Sequence, residues 1–185
     1  MHYENLSDDG IRVAAHVNKP PEWLIRKVRR LNADHTVGRG MMAEYIAQAQ
    51  QQMRQLGTRE NCQFPGREYD KLFRSDYLHV GGEDCTDCDE SAVERSRLDR
   101  DEPCVHLGLI ASGSSAMRSA QTRDNLRKER NILCFETEAA GLDNFPCLVI
   151  RGISDYADDH KNDGWQGYAA ITSAAYAKDL LRIMH

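Results

Sequence analysis

The sequence predicts an α/β fold, a three-layer α/β/α domain around a central, mostly parallel sheet. Three observations predict it. From Cys104 onward, short apolar runs alternate with helical patterns in the order strand, helix, strand, helix, strand, helix. The apolar runs are short enough for buried strands. Polar residues collect where those strands end. Ser112, Glu136, Glu138 and Asp155 all fall at carboxyl ends, where ligands of such sheets sit.

Residues 1–21 read as irregular or short extended structure and end in Asn18-Lys19-Pro20-Pro21. Proline there suits a turn and the first position of a helix. Residues 22–32 are then helical, with Leu24, Ile25, Val28 and Leu31 on one face. Residues 41–56 repeat the pattern with Met42, Tyr45, Ile46, Ala49, Met53 and Leu56, and Gly57 is the expected C-cap. Residues 72–80 carry a short strand. Residues 81–103 are loaded with Asp, Glu and Arg and have little apolar periodicity, so they read as an acidic surface loop, partly disordered.

Residues 105–111 form the next strand. Ser112-Gly113-Ser114-Ser115 is a turn whose hydroxyls are placed to cap a helix over 116–129. Residues 132–135 are a strand, 138–142 open a helix, and 147–153 are a strand. Residues 165–184 form a long last helix whose inner face is Tyr168, Ile171, Ala175, Tyr176 and Leu180. The 185 residues are expected to form a single domain, with no internal repeat and no low-complexity tract.

Composition narrows the function. The chain is 41% hydrophobic and 29% charged, ordinary for a globular protein. No apolar run approaches the roughly 20 residues that span a bilayer, and no secretory signal is visible, so no membrane partner and a cytoplasmic location are expected. A net charge of −5 argues against a nucleic-acid partner. The basic clusters 26–30 and 127–130 read as solvated helix faces. Of the six cysteines, Cys104, Cys134 and Cys147 lie in or beside apolar strands and read as small buried hydrophobes. Cys85-Thr86-Asp87-Cys88 has the spacing of half a zinc site. No second close Cys or His pair follows it, so a thiol pair with no metal is expected.

Chemistry concentrates in two stretches, Cys134-Phe135-Glu136-Thr137-Glu138-Ala139-Ala140-Gly141-Leu142 and Arg151-Gly152-Ile153-Ser154-Asp155-Tyr156-Ala157-Asp158. A carboxylate at a strand mouth loses part of its hydration, which favours the protonated form. Asp155 is thus a candidate general acid, while Ser154-Asp155 equally fits an Asx-turn. The Glu138 carboxylate can accept two hydrogen bonds from a vicinal diol such as that of ribose, or can complement a helix dipole from the first turn. Glu136 is a further candidate or an exposed strand-end charge. The 112–115 loop suits an anion at a helix start or an ordinary capped turn. Trp165 suits a wall over a ligand or plain packing. The histidines show no ligand spacing and no nucleophile partner, so a Ser/His/Asp or Cys/His hydrolase is not supported.

Three blocks in this order, Gly108-Leu109-Ile110-Ala111-Ser112-Gly113, Phe135-Glu136-Thr137-Glu138-Ala139-Ala140 and 151–158, resemble the purine nucleoside phosphorylase/uridine phosphorylase superfamily. The nearest branch is 5′-methylthioadenosine/S-adenosylhomocysteine nucleosidase. The wording of 134–142, with Trp165-Gln166-Gly167-Tyr168-Ala169-Ala170, is most similar to the nucleosidase-like domains that precede NACHT, ankyrin or TPR regions in filamentous fungi. The likeness is strong over 104–185 and weaker through 1–80.

The resemblance implies roles. Asp155 matches the acid that protonates or hydrogen-bonds purine N7, and Ser154 orients it. Glu138 matches the carboxylate that grips the ribose hydroxyls. Phe135, Glu136 and Thr137 line the base and sugar pocket, with Thr137 where the family usually has Met. Ala116 and Met117 fall where backbone meets the purine, Ala157 follows the acid, and Trp165 stands near the 5′ side. The implied chemistry is rupture of a purine N-glycosidic bond, with water or phosphate capturing the sugar. It requires no metal and no organic cofactor, only a possible phosphate co-substrate. The implied partner is a purine nucleoside or nucleotide, and homo-oligomers are usual.

Residues 1–60 match none of the family's opening strands, its glycine-rich loop or its nucleophile-activating base. The Asp expected after Ser112-Gly113 is Ser114. The chain therefore reads as the C-terminal half of such a domain. A sheet without its first strands would expose an apolar edge, which predicts poor solubility alone, or pairing with a missing segment or another chain. Three readings follow: a purine nucleosidase or phosphorylase, a degenerate nucleoside-binding or signalling module, and an α/β interaction domain in which Glu138 and Asp155 are only caps.

Overall fold

The computed structural model describes residues 2–6, 10–14, 19–57, 62–82, 84–94, 101–142, 145–160 and 162–184. They form a small α/β domain. Its main sheet has four strands in the order β2-β1-β5-β6. β5 (Leu109–Gly113) and β6 (Ile132–Glu136) are parallel, with Ala111 beside Phe135 and Ser112 beside Glu136. β1 (His2–Leu6) runs parallel to the other edge of β5, and β2 (Gly10–Ala14) folds back antiparallel on β1. This hairpin covers the β5 edge that sequence reasoning left bare. The short extended structure expected within 1–21 is therefore a sheet-forming hairpin.

The helices are built as their periodicity requires. α1 (Glu22–Thr36) starts after Pro21, with Glu22 in its positive first turn and His35 in its negative last turn. It runs a turn beyond the expected end. α2 (Met42–Leu56) ends at Gly57, whose φ of 64° is left-handed and open to glycine without a Cβ penalty. α3 (Ala120–Arg130) is capped by Ser119, whose hydroxyl accepts the Thr122 amide, and by Asn131 at φ 56°. Helix start signals therefore lie later than the 112–115 hydroxyls suggested, and Ala116 and Met117 precede the helix. α4 (Gln166–Arg182) buries Ile171, Ala175, Tyr176 and Leu180, four of its five expected inner residues, with Tyr168 packed at their margin.

Two of the apolar cores lie beside each other along the chain's main elements. Leu31, Met42, Ile46, Ile171, Tyr176 and Leu180 join α1, α2 and α4, with Val105, Leu148 and Ile150 against them. Ala111, Met117, Leu126 and Ile132 join β5 and β6 to α3. The fully buried Asp179 carboxylate fastens the α1–α2 corner to α4. It accepts the Met41 amide at 2.8 Å and Arg182 Nε at 2.9 Å, and His35 Nε2 stands 3.0 Å away as a charge contact outside hydrogen-bond geometry.

Several expectations are corrected. Residues 147–153 form no strand among the described residues. Leu148 and Ile150 bury into the helical core, and Gly152 sits so close to α4 that a Cβ there would lie 2.0 Å from the Ala169 carbonyl oxygen. The segment's close packing is on a helix rather than along β6. The expected strand over 72–80 shrinks to β3 (Leu72–Phe73), which pairs antiparallel with β4 (Val93–Glu94). Residues 84–94, taken for surface loop, carry the buried Cys88 and Ala92, which pack with Phe73. Residues 83 and 95–100 of that stretch lie outside the described residues. The helix expected to open at 138 is a single 3-10 turn over Ala139–Gly141. Cys104 is exposed and Cys134 and Cys147 half-buried, whereas Cys62 and Cys88 are the buried thiols. Among the described residues no helix is long and apolar enough to cross a membrane.

Candidate functional site

Parallel strands β5 and β6 end side by side, and the chain beyond β6 turns sharply. The turn is held by Glu136. Its Oε2 accepts the amides of Glu138 and Ala139, both at 2.8 Å. Two backbone N–H bonds to one carboxylate oxygen fix the side chain and compensate its charge. Oε1 of the same carboxylate is buried and takes no hydrogen bond from the described residues, and neither does Ser112 Oγ, its neighbour in register. Buried polar atoms are almost always paired. Two buried polar atoms at adjacent strand ends thus stay without a partner among the described residues.

Glu136 opens into a cleft of about 440 Å³. Ala116, Met117, Phe135, Glu136, Thr137, Ser154, Asp155 and Ala157 all line it. Residues separated by 40 positions in the chain thus meet on one small cavity, the size of pocket that takes a small organic ligand. Phe135 and Met117 supply apolar surface, Glu136 and Asp155 the carboxylates, Ser154 a hydroxyl.

Asp155 Oδ1 accepts the Ala157 amide at 2.9 Å, so the Asx-turn anticipated from sequence is present. Oδ2 takes no hydrogen bond from the described residues, and Asp155 lines the cleft. The turn drives Ala157 to φ 56°, a conformation that costs a residue with a Cβ about 1–2 kcal/mol. Backbone strain of this kind persists only where the surroundings over-determine it. Here they do. Tyr156 Oη donates to Asp70 at 2.6 Å, and Arg123 Nη1 donates to the Tyr156 carbonyl at 2.8 Å and to Asp158 at 3.1 Å. Burial and the Asp70 contact hold the Tyr156 phenol well above its ordinary range.

Two predicted residues stand apart from the cleft lining. Glu138 is 68% exposed and pairs with Arg151 Nη1 and the Thr137 hydroxyl. The Thr137 hydroxyl, with Arg151 adding to it, holds its carboxyl down at about 2. Its neighbours Thr137 and Arg151 do line the cleft, so Glu138 sits at the rim through them. Trp165 faces a second, larger cavity of about 930 Å³. There its Nε1 donates to the Tyr69 carbonyl at 3.2 Å and its ring meets Phe64 edge-on. Residues 150–152, 154 and 155 line both cavities.

Sequence reasoning missed Arg151, Gly152 and the first turns of α4, where Gln166, Ala169, Ala170 and Ser173 complete the cleft. Gly152 was the available signal. A glycine closing an apolar run marks close backbone approach, and the approach is to Ala169.

The fold and site define a class, a small α/β domain with a carboxylate-lined cleft beside the carboxyl ends of two parallel strands. Two relatives give that class a context. A nucleotide-binding leucine-rich repeat (NLR)-like protein of Hyaloscypha variabilis is 40% identical over 178 residues, 96% of this chain and 17% of that protein. An ATP nucleosidase, Cap17 of Escherichia coli, is 31% identical over 85 residues, 42% of this chain and 17% of that protein. The chain is thus related to a nucleosidase and to an NLR-like protein, and the matched stretches are a minor part of each. No family model matches the chain, and no solved structure matches it.

Proposed function

We propose that the cleft binds a purine nucleoside or nucleotide and cleaves its N-glycosidic bond. The single observation that carries this is the meeting of Asp155, Ser154, Phe135 and the half-satisfied Glu136 in one cleft, and the relationship to an ATP nucleosidase supports it. Phe135 and Met117 take the base on apolar surface, with the backbone at Ala116 beside it. Asp155 presents its unengaged oxygen to N7, and Ser154 orients the carboxyl. Glu136 Oε1 accepts a sugar hydroxyl from inside the cleft, and Glu138 holds a second from the rim once it leaves Arg151.

The reaction balances simply. The bond from C1′ to the base nitrogen breaks, and its electron pair goes to the base. Asp155 gives its proton to N7, so a neutral base leaves. The cationic sugar carbon takes the oxygen of water, which loses a proton to solvent, or an oxygen of phosphate. Glu136, fixed by two amides, lies where positive charge develops on the sugar. Preorganised charge of this kind favours the transition state over the ground state.

The test is release of free base from ATP, adenosine, methylthioadenosine, inosine and guanosine, with and without phosphate. Wild-type release that falls about 10²–10⁴-fold in Asp155→Asn supports the assignment. Equal release by both would remove Asp155 from the chemistry. A second reading is favoured by the Glu138–Arg151 pair, which keeps the rim carboxylate off the cleft. On that reading the domain binds nucleoside without turnover. Saturable binding by a folded chain that releases no base from any substrate, with or without phosphate, would establish it.

A further inference from the structure

We propose that the chain carries a zinc site built from His79, Cys85, Cys88 and His160. The Cys85–Cys88 pair offers half of a tetrahedral set and lacks a partner pair nearby in sequence. The fold brings one. A ring nitrogen of His79 and the sulfurs of Cys85 and Cys88 lie within 4.8 Å of one another. His160, 72 residues beyond Cys88, places Nδ1 3.9 Å from Cys85 Sγ and 4.0 Å from Cys88 Sγ. In a tetrahedron with Zn–S of about 2.3 Å and Zn–N of about 2.0–2.1 Å, sulfur and nitrogen are about 3.6 Å apart. For His160 the observed spacing closes to that with a few tenths of an ångström of movement.

His160 turns Nδ1 toward both sulfurs, and the Nε2 of each histidine meets a backbone carbonyl. His160 Nε2 lies 3.1 Å from the Tyr77 carbonyl and His79 Nε2 lies 2.9 Å from the Asp84 carbonyl. A carbonyl only accepts, so each Nε2 carries the hydrogen and each Nδ1 the lone pair. Donation of the far N–H to a backbone carbonyl is the usual support of a ligating imidazole. His160 also packs against two aromatic rings that stack on each other. Phe73 stacks on it at 4.1 Å and Tyr77 at 5.6 Å, and its side chain is buried. Two thiolates with two imidazoles, Cys88 and His160 buried and His79 and Cys85 half-buried, select zinc in a structural role.

The surroundings need such a staple. The core of residues 72–94 consists of Phe73, Cys88 and Ala92, with Tyr77, Cys85 and Val93 at its margin, and its ladder is two residues long. So small a unit does not hold itself together by burial. Binding replaces two thiol protons, released to solvent, with one Zn²⁺, and leaves a neutral set of two thiolates and two imidazoles. His160 is five residues past Asp155, on the loop that lines the cleft. The metal would anchor that loop from behind without touching the ligand.

The experiment is metal analysis and spectroscopy on the 185-residue chain. Elemental analysis after purification should find about one zinc per chain. X-ray absorption should show two sulfur and two nitrogen neighbours. Cobalt in place of zinc should give the visible bands of a tetrahedral thiolate site. Cys85→Ser/Cys88→Ser should lose the metal, and Cys134→Ser should keep it. The two wild-type spectra do not depend on any variant folding. Metal-free wild-type protein that takes up no cobalt, a first shell of oxygen and nitrogen alone, or a Cys85–Cys88 disulfide in place of two thiolates would each overturn the proposal.

Discussion

Replacing Arg123 by Met removes the cation that faces a carboxylate with nowhere to go. The Asp158 side chain is 2% exposed, and its partners are Arg123 Nη1 at 3.1 Å and the His160 amide at 2.9 Å. Burial pushes its carboxyl above the ordinary range, against the pull of the His160 amide and of Arg123. Breaking one side of a buried pair costs about 3–5 kcal/mol, most of it the stranded charge. At about 2–4 °C per kcal/mol for a chain of this length, the midpoint should fall by about 6–20 °C. The stranded charge has its own signature. A carboxyl whose folded pKa is raised binds its proton more tightly in the folded state than in the unfolded chain. Stability is then lost as pH rises from the ordinary carboxylate range through the raised value. Without Arg123 that value climbs further, so the variant's deficit should be largest near neutrality and shrink as pH falls. Urea titrations of wild type, Arg123→Met, Asp158→Asn and the double variant at about pH 7.5 and pH 5 measure it. Asp158→Asn added to Arg123→Met should restore at least about half the loss. An additive double variant, or a deficit independent of pH, would refute the stranded-charge account.

Three further predictions concern packing and binding. Gly152→Ala sets a Cβ against the Ala169 carbonyl, 2.0 Å away in the present backbone. Backbone cannot yield cheaply, so a loss of about 1–3 kcal/mol is expected with weakened cleft binding, and thermal shift with and without nucleotide reports both. An unchanged midpoint would mean that the 150–153 segment shifts freely. Glu136→Gln should lower nucleotide affinity about 10–150-fold, the worth of a charge-assisted hydrogen bond, with the fold retained. Equal affinity by equilibrium dialysis would take Glu136 out of the site. Asp179→Ala leaves the Met41 amide without its acceptor, while Arg182, 40% exposed, turns to water. It should cost about 1–3 kcal/mol in urea denaturation, and an unchanged stability would show that water replaces the carboxylate.

Patterned segments and their ends were legible because local forces place them. The faces of α1, α2 and α4, the Gly57 cap and strand β6 all follow from spacing and propensity over a few residues. Eight of the ten candidate site residues line one cleft, those at 135–137 because they stand at the end of β6. The misreadings share a different cause. The 147–153 run is apolar enough for a strand, yet it packs on α4 through Gly152. No local rule decides between a helix surface and a sheet edge. Residues 84–94 are acidic and aperiodic, yet they bury Cys88 against Phe73 and His160. The partners that make them ordered lie far along the chain.

The order of residues along the chain was enough to set the α/β class, most of the elements, and eight residues that line the cleft. Periodicity and strand-end position act within a few residues and can be read one segment at a time. Only the tertiary structure decided that Glu136 rather than Glu138 turns inward, because that choice rests on which oxygen the 138 and 139 amides capture and on Arg151 holding the other carboxylate. Only it brought His79 and His160 to Cys85 and Cys88, because convergence in space of residues 72 apart is a property of the packed chain and leaves no mark on local sequence.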